Sequence, residues 1–188
     1  MTFGNLDFIS ALLGSIAALV GVLLSMWWQT HLRVVEAREQ LVNTLDAFST
    51  EIHVVWDRYM AKVGNEIEKM SNTDALYVYT NITQNYFSVY DHNTAIIGQI
   101  KDARLRTVLV SLYNDMKSHV DNLRYHDQCY NAYLTLRVKS DYTPCEIKNI
   151  NQDLVSSSQT LKEEYALMRK KTDEFDALLA AYKKNLKR

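Results

Sequence analysis

Between Phe8 and Trp28 the chain carries 21 residues in a row without a charge. About 20 apolar residues of helix span the hydrocarbon core of a bilayer. A helix packed in a soluble core rarely stays uncharged on every face for so long. The run ends in Met26, Trp27 and Trp28, and aromatic side chains of this kind belong at a membrane–water interface. A cleaved signal peptide needs a basic leader and a small-residue cleavage site. No Lys or Arg precedes Arg33. The pattern therefore predicts a retained transmembrane helix within residues 1–30, with Trp27, Trp28 and Arg33 as interfacial anchors.

Beyond the run the pattern changes from uniform to periodic. Leu41, Leu45, Phe48, Ile52, Val55, Tyr59, Val63, Ile67 and Met70 follow one another at steps of four and three. That spacing is the apolar stripe of a packed amphipathic helix. No proline separates this stripe from the apolar run, so one continuous helix is expected. At 1.5 Å per residue, roughly 60 Å of it would stand clear of the bilayer.

Polar residues punctuate the rest. "SNTD" at Ser71–Asp74 reads as a turn and a helix start, followed by a less regular helix over 75–97 that Gly98 ends. Asp102 suits the cap of a third helix reaching Val138, with the stripe Leu105, Leu109, Leu112, Met116, Val120, Leu123, Tyr130 and Leu134. "SDYTPCE" is the clearest break: Pro144 fits a first helical position, and Thr143 with Glu146 three residues on forms a capping box. The last helix carries Ile147, Ile150, Leu154, Leu161, Tyr165, Met168, Phe175, Leu179, Tyr182 and Leu186, interrupted by Ser157, Ser158 and Thr172. The expected fold is all-α. One transmembrane helix (1–30) runs into the first helix of an antiparallel three- to four-helix bundle (31–188).

Composition sharpens this. One proline and five glycines leave few turn signals, which favours long helices. The net charge of −1 creates no field that would draw nucleic acid. The N-terminal seven residues hold no Lys or Arg, whereas Arg33 and Arg38 flank the other end of the run. By the positive-inside rule the bundle then lies in the cytoplasm and the N-terminus outside. Cys129 and Cys145 fit two free thiols in a reducing compartment; in the opposite topology they could pair.

No motif specifies a reaction. The phosphate loop G-x-x-x-x-G-K, H-E-x-x-H, Glu-x-x-His and the nucleophile elbow are all missing. Asp115, His119, Asn122, His126 and Cys129 fall at steps of four and three and make one polar stripe on the third helix. His and Cys at helical spacing can ligate a transition metal, but a partner-facing polar surface is the simpler expectation. No cofactor is implied. In the apolar run, Gly14, Ala18, Gly21 and Ser25 align along one side. Small side chains at this spacing let membrane helices approach closely, so a homo-oligomer packed through these four residues is expected.

The stretch "VYDHNTAIIGQIKDARLRTVLVSLYNDMK", Val89–Lys117, resembles a turn-and-helix segment of uncharacterised bacterial membrane-anchored helical proteins from mobile or defence-rich regions. The resemblance implies a bacterial origin and brings no assigned activity; with the orientation read above, the expected location is a bacterial inner membrane. The functional expectation is a non-enzymatic, single-pass bundle that binds an unidentified protein partner or self-assembles at the inner face of the membrane. A membrane effector of a phage-exclusion or toxin-like system, and an extracytoplasmic sensor bundle, are the alternatives.

Overall fold

The computed structural model of the chain describes residues 3–71, 73–84, 86–138 and 143–186, with backbone alone for 3–12 and 17. It is all-α, and no strand occurs among the described residues. The helices are α1 (Phe3–Tyr59), a π-helical turn (Met60–Gly64), α2 (Asn65–Lys69), α3 (Ser88–His92), α4 (Thr94–Ile97), α5 (Ala103–Val138) and α6 (Pro144–Leu186). Two compact units divide the chain, Met1–Asn43 and Thr44–Arg188. The division between them, after Asn43, falls inside α1.

In the first unit α1 is long and apolar enough to cross a membrane. Leu13, Ile16, Leu19, Val20, Val22, Leu23 and Leu24 are each 49–65% exposed. The polar groups of the run fold back on the helix itself: the Thr30 hydroxyl donates to the Met26 carbonyl at 2.8 Å. His31 stacks against Trp27 with ring centres 6.0 Å apart.

The second unit is a three-helix bundle. α5 and α6 run antiparallel, as their cross-links descend in register from Arg104–Glu174 through Lys171–Asp115 to His119–Glu164. The part of α1 within this unit is also antiparallel to α6, through Lys183–Asp46 and His53–Asp176. Consequently α1 and α5 point the same way, with Phe48 against Tyr113 and Tyr59 against His119. The apolar stripes meet inside: Leu45, Phe48 and Ile52 of α1, Leu105, Leu109 and Leu112 of α5, and Leu154, Leu161 and Phe175 of α6 are fully buried.

The expected caps are in place. Asp102 Oδ1 accepts from the amides of Arg104 and Leu105 at 2.9 and 3.0 Å. At α6 the Thr143 amide donates to Glu146 Oε2 at 2.8 Å, and the Glu146 amide donates to Thr143 Oγ1 at 3.3 Å. These reciprocal bonds satisfy donors that a helix start leaves open. They also hold the Glu146 carboxyl below its ordinary range, the Thr143 backbone amide contributing most.

The expected helix over 75–97 is not formed. Residues 75–83 are neither helix nor strand, and only the five-residue α3 and four-residue α4 follow. The sequence there alternates: Leu76 and Thr80 are buried, Tyr77 and Tyr79 exposed. This is a strand-like period of two built from aromatic and β-branched residues. With no partner strand, its amides are met by side chains of the two long helices. The Leu76 amide donates to Ser158 Oγ at 2.9 Å. Asp127 accepts from the Thr80 amide, the Thr80 hydroxyl and the Asn81 amide at 2.8, 2.7 and 2.9 Å. Asn81 has φ 47°, a left-handed conformation that asparagine tolerates. This strap lets the chain return along the bundle, which is why α1 and α5 are parallel. α3 is capped from α1, where the Glu51 carboxylate accepts from the Val89 and Tyr90 amides at 2.8 and 3.0 Å.

Candidate functional site

The polar stripe of α5 does not face outward, which corrects the expectation of a partner-facing surface. Asp115 pairs with Lys171, whose ammonium also donates to Ser111 Oγ at 2.6 Å. His119 Nδ1 lies 2.8 Å from Glu164 Oε2, and Asn122 Nδ2 donates to Glu164 Oε1 at 2.6 Å. His126 Nδ1 lies 3.0 Å from Ser157 Oγ. His119, His126 and Cys129 are buried. A polar residue at a seam needs a partner from the facing helix, and α6 supplies one for Asp115, His119, Asn122 and His126. That explains Ser157: it does not merely interrupt the α6 stripe but answers a histidine. Cys145 is exposed while Cys129 is buried, and both are free thiols. Among the described residues no three His, Cys, Asp or Glu side chains converge as metal ligands.

Burial acts on these groups in opposite directions. His126 is held below the ordinary imidazole range by loss of solvent, with Asp127 and the Leu76 backbone pulling the other way. The Tyr59 phenol is pushed far above its usual range, first by burial and then by Tyr165 and Glu164. Tyr59 therefore remains a neutral O–H donor. Tyr113 is raised in the same way by burial and by Glu51, which accepts its hydroxyl at 3.0 Å.

Beside the seam lies a cavity of about 390 Å³, within the size range of small-molecule sites. One wall is the end of α1 and the π turn, with Val55, Trp56, Tyr59 and Val63. The second is α5 with Met116, His119, Val120 and Leu123. The strap closes the third side with Thr80, Asn81, Ile82, Thr83, Gln84 and Tyr86, and Met168 reaches in from α6. Arg58 and Lys62, both exposed, stand at its edge. Two buried polar atoms in these walls, Tyr59 Oη and His119 Nε2, have no hydrogen-bond partner. Their rings meet edge to face, with centres 4.9 Å apart and planes at 84°.

The π turn follows Tyr59 directly. Such turns insert a residue into an α-helix and occur often at functional sites. The Met60 side chain packs where a Cβ at Gly64 would stand. His119 belonged to the stripe read from the sequence; Tyr59 looked like one more stripe residue. Glu164 stood in an ordinary charged run, and the strap looked helical. Nothing in their spacing signals a shared cavity.

In the first unit, Gly14, Ala18, Gly21 and Ser25 are exposed, and a Cβ on either glycine would meet nothing within 4 Å. Trp27, Trp28 and Arg33 are likewise exposed. No protein-family model, curated protein or solved structure matches the chain.

Proposed function

We propose that the chain is a single-pass, non-enzymatic anchor-and-bundle protein of a bacterial inner membrane. Its N-terminus lies outside, and the bundle binds a protein partner or further copies of itself at the cytoplasmic face. The observation that carries the reading is the first unit. Seven large aliphatic side chains between Leu13 and Leu24 stand 49–65% exposed on one helix. Contiguous apolar surface of that size is unusual on a protein bathed in water and ordinary in lipid. The aromatic and arginine anchors at its lower end support the orientation. The open strip Gly14, Ala18, Gly21 and Ser25 supports self-association through close backbone approach.

Alkaline phosphatase and green fluorescent protein fused in turn at the C-terminus test the topology. The first should be silent and the second fluorescent. The reverse outcome would move the bundle outside and favour the sensor reading. Release of the chain by alkaline carbonate would overturn the anchor altogether. Self-association is read by crosslinking in membranes. Gly14→Ile with Gly21→Ile should weaken it sharply, while Leu13→Ile with Leu24→Ile should not. Depolarisation of cells on overexpression would favour a membrane effector instead.

A further inference from the structure

We propose that the cavity between α1, α5 and the strap binds a single-chain amphiphile whose apolar tail ends in one anionic group, a carboxylate of the fatty-acid kind. The site lies wholly in the second unit, and the inference does not depend on the membrane reading. Two features carry it, the buried apolar walls and the sign of the charges. The cavity holds about 390 Å³, more than a packing defect in a close-packed interior. Val63, Met116, Leu123 and Met168 line it and are each only 2–3% exposed, so its inner walls are apolar. Two of the four are methionines, whose flexible thioethers adapt to the course of an alkyl chain.

Arg58 and Lys62 also line the cavity, and both are exposed. No Asp or Glu stands among the described residues that line it, although the chain holds 22 acidic residues against 21 Lys and Arg. Like charges four residues apart on one helical face repel, and among the described residues neither cation forms an ion pair. Carboxylates on the elements around the cavity are engaged elsewhere. Glu66 pairs with Lys69, Glu68 with Arg169, Glu164 with His119 and Asp121 with Arg124. Asp127 is taken up by the donors of the strap. Asp57 is exposed on α1 and does not line the cavity. Buried apolar walls with two unopposed cations at the exposed side match a molecule with an apolar body and one negative charge. An ammonium head would bring a third positive charge to the same place. An alcohol of equal length would fill the walls and leave the cations unanswered. A carboxylate meets the arginine fork through two parallel hydrogen bonds.

The test is a ¹⁹F NMR titration of the full chain in zwitterionic lipid nanodiscs with 8-fluorooctanoate, 8-fluorooctanol and 8-fluorooctylammonium, each referenced to empty nanodiscs. Saturable binding of 8-fluorooctanoate is expected, with 8-fluorooctanol about tenfold weaker, since two exposed ion pairs are lost. Raising the salt concentration should weaken the carboxylate and not the alcohol. Arg58→Gln with Lys62→Gln, at exposed positions, should weaken 8-fluorooctanoate about tenfold and leave 8-fluorooctanol unchanged. Arg58→Lys with Lys62→Arg, which keeps both charges, should bind as the unaltered chain does. The ¹³C-methyl signals of Met116 and Met168 should shift along the same saturation curve. Equal binding of carboxylate and alcohol, or no loss in the double glutamine variant, would overturn the anionic assignment and leave an apolar cavity. Preference for the ammonium compound would overturn it in favour of a cation. Unmoved Met116 and Met168 methyls would place the ligand elsewhere, and absence of saturable binding by any of the three would overturn the site.

Discussion

The two units use apolar residues in opposite ways. In residues 13–24 apolar side chains cover the helix all round, and among the described side chains none is buried. From Leu45 onward they keep to a stripe, and Leu45, Phe48 and Ile52 are completely buried. The same hydrophobic chemistry thus takes two patterns. A helix apolar on all faces has nothing to gain from packing one face into a bundle, whereas a striped helix gains by hiding the stripe. The pattern of apolar residues, rather than their number, separates the two regions.

Truncating the same residue type in each unit gives the largest predicted contrast. Leu161→Ala or Phe175→Ala should lower the unfolding free energy of the bundle by roughly 2–5 kcal/mol, because each side chain is fully buried. Leu19→Ala or Leu23→Ala, measured by the same denaturant melt of the full chain in mild detergent, should leave that transition in place. A similar loss from both sets would mean that residues 13–24 also pack into a protein core.

A second comparison lies inside the bundle, between the strap and the helices. Asp127→Ala removes the acceptor of three strap donors and should cost roughly 2–4 kcal/mol, since buried donors without partners are expensive. Far-ultraviolet circular dichroism should hardly change, because the strap is not helical. A large loss of helix signal would show that the strap is needed for the long helices to form. Thr143→Ala should cost about 1 kcal/mol, the usual effect of losing an N-cap hydroxyl. If this cap change proves as damaging as Leu161→Ala, the seam does not hold the bundle.

The smallest effect is a pH dependence. His126 is buried and its folded-state pKa lies below the ordinary 6.5. The unfolded chain therefore takes up the proton first as pH falls. Its contribution to stability is present above 6.5 and is lost as pH drops below that value towards the folded pKa. Wild-type protein should melt less stably in mild acid than at neutral pH, and His126→Gln should flatten that slope. An unchanged slope in the variant would assign the acid sensitivity elsewhere.

The sequence by itself determined the elements whose cause is local. The uncharged run, the α5 and α6 stripes apart from the exposed Leu134 and Ile147, the Asp102 cap and the Thr143–Glu146 box appear as read, because periodicity and capping depend on residues within a turn or two of each other. The alternation Leu76-Tyr77-Val78-Tyr79-Thr80 was also visible, yet the scarcity of proline and glycine argued for helix. Only the tertiary structure decided that this segment is a strap, because its amides are satisfied by Ser158 and Asp127, far along the chain. The facing of the α5 polar stripe was settled in the same way. A stripe of His, Asn and Asp reads alike whether solvent or α6 lies opposite, and it is Glu164, Lys171 and Ser157 that make it a seam. The cavity was least legible of all, since Tyr59, His119 and the strap come together through packing between helices, where no local rule relates one residue to the next.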